Sequence, residues 1–132
     1  MIYCGTDIIE IERIKKAIEE NEIENKKEFK NLFLDKIYTL NEINYCESKG
    51  KMKYQHYAVR FAAKEAIFKA ISNLLKDKYE LSWKNAEIIN DDMGRPQVKF
   101  INISKELEEK IVNIDISLSH SKEYAIAMVV LE

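Results

Sequence analysis

Glu65 is an acidic residue inside an apolar helical run, four residues after Phe61 and three before Phe68. At 100° per residue, Glu65 lies only about 40° round the helix from Phe61. A carboxylate on a core-facing stripe is costly unless it is paired or binds a metal ion. The spacing therefore leaves two interpretations open: a metal ligand, or a buried ion pair with Lys69 one turn further on.

Asp7 is the second candidate carboxylate. It lies where an apolar run at residues 1–9, typical of a strand, passes into a run with isoleucines at helical spacing. An aspartate at the start of a helix commonly caps it by accepting a backbone N–H. If Asp7 and Glu65 instead meet, two carboxylates with phosphate oxygens form a site suited to magnesium.

Basic residues surround Glu65 in the sequence. Arg60, Lys64 and Lys69 lie on the flanks of the same predicted helix, and Lys51 and Lys53 come just before it. Such a set would complement a polyphosphate ligand, although a solvated basic face is the alternative.

His120, between two serines, ends a predicted strand at a tight connection, where a side chain is held by a rigid scaffold yet open to ligand. A structural role remains the alternative for it. His56 has no supporting context in the sequence and receives no role.

Helices must position most of these residues. The strongest prediction is a long central helix, because apolar residues recur every three or four positions from Tyr54 to Leu75. A shorter helix at residues 40–49 is indicated by Thr39 and Glu42, which match a capping box, and by Gly50, which supplies the stop.

Strands supply the remainder of the predicted fold. Two hairpins are expected, one of residues 86–90 and 97–101 around an Asp-Asp-Met-Gly-Arg-Pro turn, the other of residues 114–120 and 124–131. Ser104 is predicted to cap a short helix that reaches about Val112. Strands and helices mixed in this order indicate an α+β fold, and with no linker-like segment we expect one domain over residues 1–132.

Composition excludes several classes of protein. A net charge of −2 argues against nucleic acid as the main partner. Cys4 and Cys46 have no metal-ligand spacing around them, which favours a reduced, cytoplasmic protein. We expect neither a membrane span nor a secretory signal, because no apolar run approaches the roughly 20 residues that a span needs.

Three blocks carry a resemblance to a known family: residues 5–14 (GTDIIEIERI), 60–70 (RFAAKEAIFKA) and 117–121 (SLSHS). In order and spacing they resemble the holo-[acyl-carrier-protein] synthase family over essentially the whole chain. The turn of Gly94, Arg95 and Pro96 is also similar to the family's Gly-Lys/Arg-Pro turn near its coenzyme A site.

The resemblance implies a magnesium-dependent 4'-phosphopantetheinyl transferase, with a small, mainly antiparallel sheet around a long helix. Such an enzyme moves phosphopantetheine from coenzyme A to a serine of apo-acyl carrier protein. Asp7 and Glu65 would hold the metal with the diphosphate of coenzyme A, and Lys69 would lie close to the same phosphates. The base for the serine proton would be Lys69 or a water at the metal site.

Further contacts follow from the resemblance alone. Arg60, Lys64 and His120 would contact phosphates, and Lys51 or Lys53 would lie near the 3'-phosphate. The family's small forms are trimers with the nucleotide between subunits. Phe68 departs from the smaller or polar residue of many relatives, which argues against a side-chain ligand contact from that position.

The first predicted helix carries Arg13, Lys15 and Lys16 on a slightly acidic protein. Carrier proteins of this pathway are acidic, so this helix is the expected docking face, with an ordinary solvated face as the alternative. Two other functions remain possible at this level: a non-catalytic coenzyme A or carrier-protein binding module of the same fold, and a different magnesium-dependent phosphotransferase or phosphatase.

Overall fold

The structure is a computed structural model that describes residues 1–24 and 31–132. Strands in these residues are β1 (Tyr3–Glu10), β2 (Ala86–Asn90), β3 (Pro96–Phe100), β4 (Ile114–His120) and β5 (Tyr124–Leu131). The α-helices there are α1 (Ile11–Glu24), α2 (Leu32–Ile37), α3 (Leu40–Glu47), α4 (Lys53–Ile71) and α5 (Lys105–Lys110). None of the helices in this part of the chain is long and apolar enough to span a membrane.

The strands form two antiparallel sheets. One has three strands in the order β1-β5-β4, and the other is the β2–β3 hairpin. Side chains of β5 alternate strictly, with Ala125, Ala127, Val129 and Leu131 fully buried on one face. The structure therefore confirms the fold expected from the sequence, with its α+β class, its long helix and both hairpins.

Helix α4 lies at the centre because its apolar residues are not confined to one stripe, as expected for a helix that is buried on most sides. On one side it packs against β1 and β5, and on the other it contributes to a second apolar cluster with α1, α2 and α3. Its alanines are small enough to let the neighbouring strands approach the helix backbone closely.

Gly5 shows how close that approach is. A Cβ atom at Gly5 would overlap the carbonyl oxygen of Ala66 and lie 2.9 Å from the amide nitrogen of Ala70. Glycine is required there because it lets two backbones meet without a side chain between them. The contact places the following residues of β1, including Asp7, directly beside α4.

The helix ends differ in part from the predictions. The capping box of α3 is present, with Thr39 and Glu42 each accepting from the other's backbone N–H, but the helix ends at Glu47 rather than Lys49. Helix α4 ends at Ile71 and continues as a 3₁₀ turn at Ser72–Leu74. Helix α2 was not predicted from the sequence, and Asn31 caps it by accepting from the Leu34 N–H.

Candidate active site

Asp7 lies within β1, four residues before α1 begins, so it is not at the N-cap position of that helix. Strand alternation places it on the same face as Gly5, toward α4. Its Oδ1 accepts a hydrogen bond from Lys69 Nζ at 3.1 Å, and Lys69 also donates to the Thr6 carbonyl oxygen at 2.9 Å. The ion-pair interpretation of Glu65 requires Lys69 to pair with Glu65. Lys69 instead pairs with residues of β1.

Glu65 and Asp7 border one cavity of about 370 Å³ between β1, α1, α2 and α4. Burial first, and then the nearby charge of Asp7, raise the pKa of Glu65, whereas Lys69 acts in the opposite direction. The two carboxylates thus repel each other across a partly buried space. A divalent cation would relieve that repulsion, because oxygen ligands of this kind suit magnesium.

Lys64 does not face a phosphate site, and the phosphate contact predicted for it from the sequence is wrong. Its side chain is 0% exposed, and its Nζ lies 2.8 Å from Oε1 of an equally buried Glu42. It also donates to the carbonyl oxygens of Trp83 at 3.0 Å and Ala86 at 2.8 Å. All three donors of the ammonium group are used inside the protein, so Lys64 joins α4 to α3 and β2 and is not available to a phosphate.

Arg60 is also more buried than its predicted role suggests, at 3% exposure. Its guanidinium carbon lies 4.2 Å from the centre of the Tyr45 ring, and one terminal nitrogen donates to Asn90 Oδ1 at 2.7 Å. Arg60 Nε is buried and has no hydrogen-bond partner among residues 1–24 and 31–132. The phosphate contact of Arg60 therefore stays a prediction. It would involve the part of the guanidinium that these contacts leave free.

Three residues that the sequence analysis did not assign gather around Arg60. Lys49 Nζ lies 4.7 Å from the centre of the Tyr45 ring, and the His56 ring packs edge-on to Tyr45 at 5.6 Å. Burial, then the charges of Arg60, Lys49 and His120, lower the pKa of His56. The signal for this cluster was present in the sequence as two pairs at four-residue spacing, Tyr45 with Lys49 and His56 with Arg60.

The remaining predicted phosphate contacts lie at the surface. His120 is exposed at the end of β4, and Lys51 is exposed in the 3₁₀ turn Gly50–Met52. Lys53 opens α4 and pairs with Glu47 at 3.4 Å. His120 and Lys51 are open to a ligand, whereas the Lys53 side chain is only 23% exposed, and the contacts of all three with coenzyme A stay predictions.

The turn between β2 and β3 is built by Asp91. Its Oδ1 accepts from the backbone N–H groups of Met93 and Arg95, and its Oδ2 pairs with Arg95 Nε at 2.9 Å. Gly94 has a φ of +78°, a left-handed conformation that favours glycine, and Pro96 opens β3. The predicted turn is therefore present, with the Arg95 side chain folded back onto Asp91.

The basic residues of α1 point in more than one direction. Arg13 is exposed and borders the same cavity as Asp7 and Glu65, and Lys16 is exposed one turn further on. Lys15 instead lies with its Nζ 5.5 Å from the centre of the Tyr54 ring. Arg13 thus lies at the cavity of the carboxylates, and Lys16, three residues further on, is exposed about 60° round the helix from it.

Residues 3–129 match the family model of the 4'-phosphopantetheinyl transferase superfamily. The chain belongs to that superfamily. Among curated proteins, it is 43% identical over 132 residues to a holo-[acyl-carrier-protein] synthase of Ruminiclostridium cellulolyticum, covering 98% of this chain and 91% of that protein. It is also 42% identical to the synthase of Geobacter sp. strain M21, covering 100% and 99%.

Solved structures of superfamily members have the same fold. A holo-(acyl-carrier-protein) synthase of Bacillus anthracis in complex with coenzyme A (3',5'-ADP) superposes with a TM-score of 0.74 at 35% identity, covering 98% of this chain and 94% of that one. The Helicobacter pylori synthase in complex with coenzyme A gives 0.76 at 31% identity, covering 100% of both chains.

Proposed function

We propose that this superfamily member transfers 4'-phosphopantetheine from coenzyme A to a serine of apo-acyl carrier protein. The products are holo-acyl carrier protein, used in fatty acid biosynthesis, and adenosine 3',5'-bisphosphate. The observation that carries the proposal is the grouping of Asp7, Glu65 and Lys69 where β1 crosses α4. Curated relatives named as this synthase, and two solved relatives with coenzyme A bound, support the same reaction.

Asp7 and Glu65 are the residues that would hold magnesium. They fit the ion because they are two carboxylates at one partly buried cavity, and because burial, followed by the charge of Asp7, raises the pKa of Glu65. Magnesium would supply neutralising charge for the diphosphate of coenzyme A.

Lys69 is the proposed cation beside the reacting phosphate. Its side chain is 54% exposed, while Thr6 and Asp7 hold its Nζ at the edge of the site. A fixed positive charge there stabilises negative charge that develops on the phosphate during transfer. Lys69 and a water at the metal site both remain candidates for the base that accepts the serine proton.

The proposed coenzyme A contacts Arg60, His120, Lys51, Lys53 and the turn Gly94 to Pro96 do not all face that cavity. Arg60 precedes Glu65 by five residues on α4, which turns it about 140° round the helix axis. One copy of the chain would therefore present the carboxylates and Arg60 to different ligands. A site shared between copies would bring both sets to one coenzyme A.

Self-association is supported by the outer face of the three-stranded sheet. Large apolar side chains are exposed there side by side: Ile8 at 60%, Ile126 at 42%, Met128 at 51% and Val130 at 39%. A contiguous apolar patch of this kind marks an interaction surface. We propose the homotrimer of the family, and sedimentation-velocity analysis that returns the mass of a monomer at micromolar concentration would refute it.

The proposed docking face for the carrier protein is the Arg13 and Lys16 side of α1. Both residues are exposed, and Arg13 borders the cavity of Asp7 and Glu65. An acidic carrier helix bound there would bring its serine to the carboxylates. We place the reaction in the cytoplasm, which the free thiols of Cys4 and Cys46 support.

The test is consumption of coenzyme A with and without an apo-acyl carrier protein, in the presence of magnesium. The proposal predicts consumption only when the carrier is present. A binding module would bind coenzyme A without consuming it, and a phosphatase would consume it without the carrier. Either of those results would overturn the proposed function.

A further inference from the structure

Asn90 connects the β2–β3 turn to the central helix. It ends β2, and its side-chain amide makes one hydrogen bond in each direction. Asn90 Oδ1 accepts from a terminal nitrogen of Arg60 at 2.7 Å, and Asn90 Nδ2 donates to the Gly94 carbonyl oxygen at 3.0 Å. The side-chain oxygen of Asn90 thus bonds to α4, and its side-chain nitrogen bonds to the turn.

Arg60 is a firm anchor for this connection. The residue is 3% exposed, and its guanidinium is stacked on Tyr45. In the described part of the chain, one nitrogen of this buried guanidinium has no partner, so moving Arg60 would cost further hydrogen bonds and few alternative positions are open to it. Arg60 and Asn90 also border a cavity of about 140 Å³, so shortening Asn90 leaves space rather than a substitute partner.

The turn itself is held internally by Asp91, which accepts from Met93, Arg95 and the Arg95 side chain. Those bonds fix the shape of the turn but not its orientation relative to α4. Orientation needs a link from the turn to α4, and Asn90 supplies it: its Nδ2 donates to the Gly94 carbonyl oxygen within the hairpin, and its Oδ1 accepts from Arg60 on α4.

We propose that Asn90 is a positioning residue for coenzyme A: it orients the turn of Gly94, Arg95 and Pro96 on α4 through the buried guanidinium of Arg60. The inference rests on the proposed function, in which that turn contacts coenzyme A. Asn90 itself need not touch the ligand. Its effect should therefore appear in the binding of coenzyme A and not in the rate of transfer once both substrates are bound.

Two substitutions separate positioning from a merely structural role. Asn90→Ala removes both bonds. Asn90→Asp keeps an acceptor for Arg60, now as a charge-assisted pair, but an ionised carboxylate cannot donate to the Gly94 carbonyl oxygen. If Asn90 serves only to satisfy Arg60, the aspartate variant will behave like the parent.

The measurements are the KM for coenzyme A, the KM for the carrier protein, kcat, and the Kd for adenosine 3',5'-bisphosphate. For both Asn90 variants we expect the KM for coenzyme A to rise about three- to tenfold, with the Kd rising in parallel and kcat little changed. Asp92→Ala, an exposed position of the same turn, is the matched control and should match the parent.

Hydrogen exchange in the ligand-free protein gives a second readout that does not depend on activity. Both Asn90 variants should exchange the amides of Gly94 and Arg95 faster than the parent, while Asp92→Ala should not. Parental values for Asn90→Asp, in kinetics and exchange, would overturn the positioning role of Asn90 whatever Asn90→Ala does, and would leave the proposed function standing. A parent that neither binds nor consumes coenzyme A would overturn the proposed function and this inference with it.

Discussion

Lys64 and Lys69 are five residues apart on α4, yet their surroundings are opposite. The Lys64 side chain is 0% exposed and paired with Glu42, whereas that of Lys69 is 54% exposed and held by Asp7 and Thr6 of β1. Five residues correspond to about 140° of helical rotation, so the two lysines face different layers of the fold. Two identical side chains in one motif therefore have different roles, and the residues that each one contacts determine its role.

The largest effect expected from this comparison is on transfer by Lys69→Met. Methionine is similar in its stem but removes the charge aimed at the phosphates, and losing one such electrostatic contact lowers kcat about a hundredfold or more. The melting temperature should stay near that of the parent, because the Lys69 side chain is 54% exposed and an ion pair with one partner in solvent contributes little to stability. Lys105→Met, an exposed lysine on α5, is the control, and parental transfer by Lys69→Met would remove Lys69 from the mechanism.

Glu65→Gln should also abolish most transfer, and it tests the pair of carboxylates. Because burial and Asp7 raise the pKa of Glu65, ionising this residue destabilises the apo protein as the pH rises through that pKa. Glutamine avoids this cost, so the apo variant should melt at or above the parental temperature at neutral pH. The difference should shrink as the pH falls toward the ordinary pKa of a glutamate.

In the presence of ligand, the expected effect of Glu65→Gln on thermal stability has the opposite sign. With magnesium and coenzyme A, the parent should gain thermal stability by mass action, and the variant should gain much less. Differential scanning calorimetry of both proteins with and without ligand decides the question. A variant that is strongly destabilised as apo protein yet keeps the magnesium-dependent shift would make Glu65 a structural residue.

Lys64→Met should affect stability instead of chemistry. It leaves the buried Glu42 carboxylate without its partner, which typically costs about 3–5 kcal/mol of unfolding free energy. Adding Glu42→Gln removes the stranded charge while keeping an acceptor for the Ile88 N–H, so the double variant should recover part of the loss. Urea denaturation measures both, and transfer per folded molecule should remain near the parental value.

Most of the strands and helices could be predicted because their signals are local. The α3 capping box and the alternation of β5 each lie within a few residues of sequence. Helix α2 was missed because it has six residues, too few for a periodic pattern, although Asn31 before Leu32 was a usable capping signal.

The burial of Lys64 could not be predicted in the same way. Its partner Glu42 lies 22 residues earlier, and the two meet only because α3 packs on α4. The position of Asp7 was likewise ambiguous between a helix cap and a ligand until the close contact at Gly5 brought β1 beside α4. Long-range packing determines the surroundings of both residues, and the local spacing of residues in the sequence does not indicate that packing.

The smallest predicted effect concerns the docking face. Arg13→Glu should raise the KM for the carrier protein several-fold and leave the KM for coenzyme A little changed, as expected for a charge that steers one partner. Lys15→Glu is the matched comparison, because Lys15 lies against Tyr54 and should have less influence. Equal changes in both KM values for Arg13→Glu would contradict the proposed face.

Intact-mass analysis of an apo-acyl carrier protein tests the central claim most directly. The carrier is incubated with coenzyme A, magnesium and either the parental protein, Lys69→Met or Lys64→Met, each at the same concentration of folded protein. The account predicts that the carrier gains the mass of one phosphopantetheinyl group with the parent and with Lys64→Met, and hardly any with Lys69→Met. No gain with the parent, or an equal gain with Lys69→Met, would contradict it.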